Sequence, residues 1–259
     1  MAGRLSIVLS LILATSFSCK DVTVNSAKQE LPPPSIVDIV IPAQEPELYK
    51  GFNIVREEED PYRCVGKVYD NNEEFIGSAI QIDKNLVITA AHCIEDTNLK
   101  YFEVGGKKYN VIKSIMHEKY KIGNRVVNDI GILILSEPTC ITEFPEISYS
   151  PKDLTRFENL TTVGFSREIK KSSKQGSFYY YGVLIEDPFV FKFNSTQDVH
   201  IWFGDSGGAI FEENGKLVGI ISSMSIVDYS IIDMSGVPFY YYEDWIKNIK
   251  KNNKDILFD

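Results

Sequence analysis

Ser78-Ala79-Ile80-Gln81-Ile82, Asp83-Lys84-Asn85 and Leu86-Val87-Ile88-Thr89 follow one another without a break. The outer two runs are short and rich in β-branched residues, and the three residues between them are polar turn formers. This reads as two short strands joined by a tight turn. The pattern repeats in both directions. Val65–Tyr69 comes before it, and Tyr109–Ile115 and Ile130–Leu135 come after. Beyond a turn-rich stretch lie Thr161–Phe165, Tyr179–Ile185, Val190–Phe193, Ala209–Phe211 and Leu217–Ser222, separated by clusters of Gly, Asn, Asp and Lys. Many short strands at near-regular spacing predict an all-β barrel or sandwich. One helix is expected, over about 242–252. Glu243 and Asp244 open it and Lys250 and Lys251 close it, as the helix dipole favours, with Trp245, Ile246 and Ile249 on one face.

The chain has 259 residues, of which 44% are hydrophobic and 24% charged. This excludes collagen, a coiled coil and global disorder. A net charge of −9 repels phosphate backbones, so nucleic acid is not an expected partner. Residues 1–18 read as a secretory signal: Arg4 is the positive start, Leu5 to Ala14 the apolar run, and Ser16 and Ser18 the small cleavage residues. The apolar run is too short to span a bilayer. Cys19 follows the cut and resembles the lipidated cysteine of bacterial lipoproteins, which would attach the chain to a membrane; the plainer reading is an ordinary thiol on a secreted or periplasmic protein. Residues 19–60 read as a connector or propeptide. Pro32-Pro33-Pro34, Pro42 and Pro46 stiffen it, and Glu57-Glu58-Glu59-Asp60 is a solvated charge run. Export favours disulfides. Four cysteines, Cys19, Cys64, Cys93 and Cys140, allow three pairings. Their spacing matches no metal site, and neither metal nor cofactor is expected.

Three strings carry chemistry. In Gly204-Asp205-Ser206-Gly207-Gly208, a glycine-rich turn would expose a serine hydroxyl and aim the N–H groups of Gly204 and Ser206 at a developing oxyanion. Such a hydroxyl needs a base to become a nucleophile. Thr89-Ala90-Ala91-His92-Cys93 offers one, fixed at a strand end among small residues. Asn128-Asp129-Ile130-Gly131 leads a carboxylate into an apolar strand, where burial demands a partner such as an imidazole N–H. The plainer alternative is an aspartate capping a strand start.

Together the strings, in the order His92, Asp129, Ser206, resemble the chymotrypsin-like (trypsin-fold) serine peptidases. The resemblance extends over most of residues 61–252. Gly77-Ser78-Ala79-Ile80 resembles the strand before the catalytic histidine. His117 and Tyr120 resemble the His-Pro-x-Tyr string, which makes His117 structural. Thr162-Val163-Gly164-Phe165-Ser166 resembles the Thr-x-Gly-Trp-Gly opening of the second barrel, and Val218–Ser222 the strand whose serine supports the catalytic aspartate. The resemblance implies two six-stranded antiparallel β-barrels with a C-terminal α-helix: a peptidase domain over 61–259, barrel one about 61–145, barrel two about 158–240. It implies a monomeric endopeptidase acting on proteins or peptides. Ser206 would attack, His92 would shuttle the proton, Asp129 would orient His92, Gly204 and Ser206 would form the oxyanion hole, and Ser222 and Asp205 would support the triad.

The sequence departs from the family at several places. The pocket position six residues before Ser206 is His200 rather than the Asp of trypsins, so cleavage after Lys or Arg is not implied; Met224 would narrow the pocket beyond Ser222. Trp202 replaces a cysteine, and no partner for Cys93 precedes Gly77. Among the remaining pairings Cys64–Cys140 is preferred. The family often matures by a cut before Ile-Val-Gly-Gly, whose new amine pairs with the aspartate here numbered Asp205. This chain has only Ile54-Val55-Arg56-Glu57. These departures leave a second reading open, a catalytically silent binding protein on the same fold.

Overall fold

The computed structural model describes residues 52–54, 59–95, 97–121, 126–149, 158–166, 172–178, 191–193, 201–227 and 230–258. The expected leader, Cys19, His200 and the strand expected over 179–185 lie outside them.

The described chain begins with a short strand, β1 (Phe52–Ile54), inside the stretch read as a connector. Six strands then close a barrel: β2 (Val65–Asp70), β3 (Phe75–Asp83), β4 (Leu86–Thr89), β5 (Leu99–Val104), β6 (Lys107–Met116) and β7 (Gly131–Leu135). Their order is β2-β3-β4-β7-β6-β5, with β5 pairing back onto β2. Closure removes the sheet edges that would otherwise invite aggregation. Every residue of β4 and β7 is buried, so these strands read as unbroken apolar runs. β6 has one wet face: Tyr109 and Val111 point inward while Lys108, Asn110 and Ile112 are exposed. β5 was not read from the sequence, because Lys100 and Glu103 interrupt its apolar residues. Those two lie on the outer face, and Leu99, Phe102 and Val104 fill the barrel.

The second sheet contains β1 with β8 (Glu158–Gly164), β9 (Ser172–Phe178), β10 (Phe191–Phe193), β11 (Ala209–Glu212), β12 (Leu217–Val227) and β13 (Ser230–Pro238). Its order is β1-β9-β8-β11-β12-β13-β10. Among the described residues it is an open, seven-stranded sheet and not the closed six-stranded barrel expected. The segment between the two sheets is tied down by Leu217, whose N–H donates to Glu146 O and whose carbonyl accepts from Ser148, both at 2.9 Å.

The thiols correct one expectation. Cys64 and Cys140 are not bridged. Cys64 is buried and its Sγ donates to the carbonyl of Glu143 at 3.3 Å. Cys140 is exposed, and its sulfur lies over Gly105 at the β5–β6 turn, 2.9 Å from where a Cβ on that glycine would stand. The two sulfurs are thus engaged at different places.

The chain ends as expected in a helix. The short α1 (His92–Glu95) follows β4, and α2 (Glu243–Asn252) closes the fold. Ile246 is its buried anchor, and Trp245 Nε1 donates to Glu118 Oε2 at 2.9 Å. Lys250 Nζ reaches Asp83 at 2.8 Å, and Asn85 Nδ2 donates to the Ile256 carbonyl at 2.9 Å. Helix and tail are therefore strapped to the first barrel. Ile246→Ala should cost about 2–4 kcal/mol of stability, read as a lower urea midpoint with an unchanged denaturant slope.

Candidate active site

The register of one strand pair creates the site. β4 and β7 run antiparallel with Thr89 opposite Gly131. The residues just after β4 and just before β7 therefore meet at the same barrel end. His92 and Asp129 are those residues. Nδ1–H of His92 donates to Asp129 Oδ2 at 2.8 Å, and the His92 backbone N–H donates to Oδ1 at 2.8 Å. An ionised carboxylate only accepts, so the ring proton sits on Nδ1 and Nε2 keeps its lone pair.

Asp129 is 3% exposed. Burial alone would raise its pKa. Attraction to the charge that His92 carries when protonated, with the hydrogen bonds from His92 and Ser222, outweighs that and holds it below the ordinary carboxylate value. The third donor is Ser222 Oγ, 2.6 Å from Oδ2. It stands in β12, so this bond spans the two sheets.

Asn128 aims the carboxylate. Its φ of 50° turns the chain sharply before Asp129, and its side chain is clamped. Asn128 Nδ2 donates to Lys119 O at 2.9 Å, and Oδ1 accepts from Tyr242 Oη at 3.1 Å. Burial, then the Asp129 charge, push the Tyr242 hydroxyl far above its usual pKa, so it remains a donor. His117 is the packing residue expected. Its ring lies edge-on to Tyr242 at 5.4 Å and tilted against Trp245 at 5.1 Å. The segment before Asp129 thus leans on α2.

Ser206 lies in the turn before β11. Its Oγ donates to the carbonyl of Ser222 at 3.3 Å. Ser222 therefore touches both halves of the constellation, Asp129 through its hydroxyl and Ser206 through its carbonyl. Among the described residues neither the N–H of Gly204 nor that of Ser206 donates to another group. A backbone donor that meets no protein acceptor is open to a ligand, and two such groups beside a hydroxyl are what an oxyanion site requires.

A residue not singled out from the sequence holds this turn. Ser78 in β3 is fully buried. Its N–H donates to Ser206 O at 2.9 Å, its Oγ donates to Gly204 O at 2.6 Å, and the same Oγ accepts from Phe165 N at 2.9 Å. Its carbonyl accepts from Thr89 Oγ1 at 2.9 Å, on the strand leading to His92. Gly207 fits only as glycine: φ is +79°, and a Cβ would stand 2.2 Å from Ser78 O and from Thr89 Oγ1. No local pattern marks Ser78, because its partners are remote in sequence. Met224 is the second residue of β12 after Ser222, paired with Met234. Among the described residues no cluster of His, Cys, Asp or Glu is arranged to hold a metal ion.

A closed barrel joined to a second sheet, with histidine, aspartate and serine at the junction, is the layout of chymotrypsin-type serine peptidases. The chain belongs to the Trypsin family, whose sequence model matches residues 53–246. It is 26% identical over 179 residues to a chymotrypsin of Phaedon cochleariae, covering 63% of this chain and 62% of that one. It is 27% identical over 179 residues to a trypsin of Sarcophaga bullata, covering 57% of this chain and 68% of that one. The chain thus spans less than two thirds of the length of the chymotrypsin. Two solved structures share the fold. A Glu endopeptidase in complex with MPD gives a TM-score of 0.63 at 13% identity, over 78% of this chain and 97% of that one. Neuropsin, a serine protease from the limbic system of mouse brain, gives 0.60 at 19% identity, over 72% and 94%.

The depressed pKa of Asp129 fixes a sign. A carboxylate lowered in the folded state contributes stability above its unfolded pKa of about 3.9 and loses it as pH falls through the folded value. As pH falls below about 4, the wild type should lose stability relative to Asp129→Asn, measured by urea melts at successively lower pH.

Proposed function

We propose that this chain is an exported serine endopeptidase. The observation that carries the reading is the doubly bonded Asp129–His92 pair, tied through Ser222 to the Ser206 hydroxyl. In the resting arrangement that hydroxyl rests on the Ser222 carbonyl. To react it turns about χ1 toward His92 Nε2, the ring nitrogen with a free lone pair. Ser206 Oγ then bonds to the substrate carbonyl carbon while its proton passes to Nε2. The carbonyl π-electrons move to oxygen, and the N–H groups of Gly204 and Ser206 hold the charge. Collapse returns the proton from Nε2 to the leaving amine and leaves an acyl-enzyme. Water repeats the cycle, and the proton ends on Ser206 Oγ. Asp129 stays ionised throughout and steadies the imidazolium.

Export is read from residues 1–18, and lipid attachment from Cys19. In this reading the second sheet closes as a barrel, since β9 and β10, near opposite ends of its order, approach within 8 Å between Cα atoms. Because His200 replaces the trypsin aspartate, a preference for Lys or Arg is not part of the reading. Cleavage sites in a proteome-derived peptide library would define the preference directly.

A fluorophosphonate probe should label the purified protein at Ser206 and fail on Ser206→Ala. A folded, mature protein that takes no label, hydrolyses no peptide and binds a partner equally well as Ser206→Ala would instead be the silent binding protein. Asp129→Asn should lower kcat roughly 10⁴-fold, the loss characteristic of the wrong histidine tautomer in triads of this type, read in steady-state kinetics on a cleaved library peptide.

A further inference from the structure

The oxyanion turn is anchored by a carboxylate that the mechanism does not use. Asp205 is fully buried between Gly204 and Ser206. Its Oδ2 accepts from Trp202 N–H at 2.7 Å. The hydroxyl of Ser166 lies 3.0 Å from Oδ1 and 2.9 Å from Oδ2, within reach of both oxygens. Ser166 stands where the family string Thr-x-Gly-Trp-Gly ends in glycine, so this hydroxyl is a property of the present chain. Gly164, two residues earlier, admits the carboxylate: a Cβ there would stand 2.7 Å from Oδ1 and 3.0 Å from the Asp205 Cα.

Anchoring Asp205 sets the neighbouring peptide planes. Its N–H donates to Trp202 O at 3.0 Å, and its carbonyl accepts from Gly208 N at 2.8 Å. A trans peptide is planar, so a carbonyl fixed on Gly208 directs the Ser206 N–H the opposite way. On the other side, Ser78 Oγ holds the Gly204 carbonyl. We infer that Ser166 is a positioning residue that holds the oxyanion turn in its donor-presenting form through the Asp205 carboxylate. In related enzymes the corresponding aspartate is met by a newly cut chain end, whereas this contact comes from a side chain already in the fold. The inference rests on the proposed peptidase reading for its kinetic consequence, but the positioning itself does not.

The test compares full-length wild type, Ser166→Ala and Ser166→Thr. Ser166 is only partly buried, so both variants should fold. Hydrogen exchange is followed at the amides of Asp205, Gly207 and Gly208, which donate to Trp202 O, Ile221 O and Asp205 O. Kinetics are followed on a library peptide, together with the rate of fluorophosphonate labelling. Ser166→Ala should exchange faster in the turn and lose about tenfold or more in kcat and labelling rate, with KM changed less than about twofold. Ser166→Thr, which keeps the hydroxyl, should restore both. Unchanged exchange in Ser166→Ala overturns the inference, as does a loss that Ser166→Thr fails to restore. If the wild type neither labels nor cleaves, the peptidase reading fails. The exchange comparison alone then decides the positioning role: faster in Ser166→Ala and restored in Ser166→Thr upholds it, and any other pattern overturns it.

Discussion

A carboxylate removed from water costs several kcal/mol unless donors replace the hydration it loses. Asp129 recovers those donors from three places: the His92 ring, the His92 backbone and the Ser222 hydroxyl. Two come from His92 after β4 and one from Ser222 in β12, so the charge can be buried only when the β4 end, the β7 start and β12 have all reached their final positions. The same requirement orients His92 and fixes its tautomer. Stability at the junction of the two sheets and the orientation of the imidazole therefore depend on one set of bonds.

Around that charge the framework is neutral and polar. Ser78 joins the first barrel to Gly204, Ser206 and Phe165, and Thr89 joins Ser78 to the histidine strand. Hydrogen bonds of this kind contribute only modestly each, about 1 kcal/mol net, but an unmade buried one costs more. Their effect is on specificity of packing: one relative placement of the sheets satisfies Ser78, Thr89 and Phe165 together, and others leave them orphaned. The turn around Ser206 is thus held by hydrogen bonds. Trp202 occupies the position where a pocket disulfide is common, and its backbone N–H serves Asp205 instead.

Helix α2 extends the constraint outward. Tyr242, just before the helix, bonds Asn128 and steadies the segment that aims Asp129; Lys250 in the helix, and Asn253 and Ile256 beyond it, bond Asp83, Lys113 and Asn85 of the barrel wall. Two tyrosines, Tyr120 and Tyr242, are kept protonated, first by burial and next by the charge of Asp129. They close the aspartate's surroundings without adding a second charge.

Period and composition were enough to expose the all-β character, the terminal helix, and β4 and β7 with His92 and Asp129 at their ends. Those features depend on neighbours in sequence: β-branched runs, turn formers, acids leading and bases trailing a helix. β5 escaped because its outer face carries charge. β1 escaped because three residues give no periodicity, and a partner more than a hundred positions away is what makes Phe52–Ile54 a strand. Pairing of cysteines was equally beyond the sequence. Cys64 faces a backbone carbonyl and Cys140 faces a turn, a matter of side-chain direction that spacing does not encode. The sequence by itself determined which residue types could do chemistry and in what order they occur. Only the tertiary structure decided that the hydroxyls of Ser78 and Ser166 reach the turn around Ser206, because a hydroxyl acquires a role from the atoms folding brings within 3 Å of it.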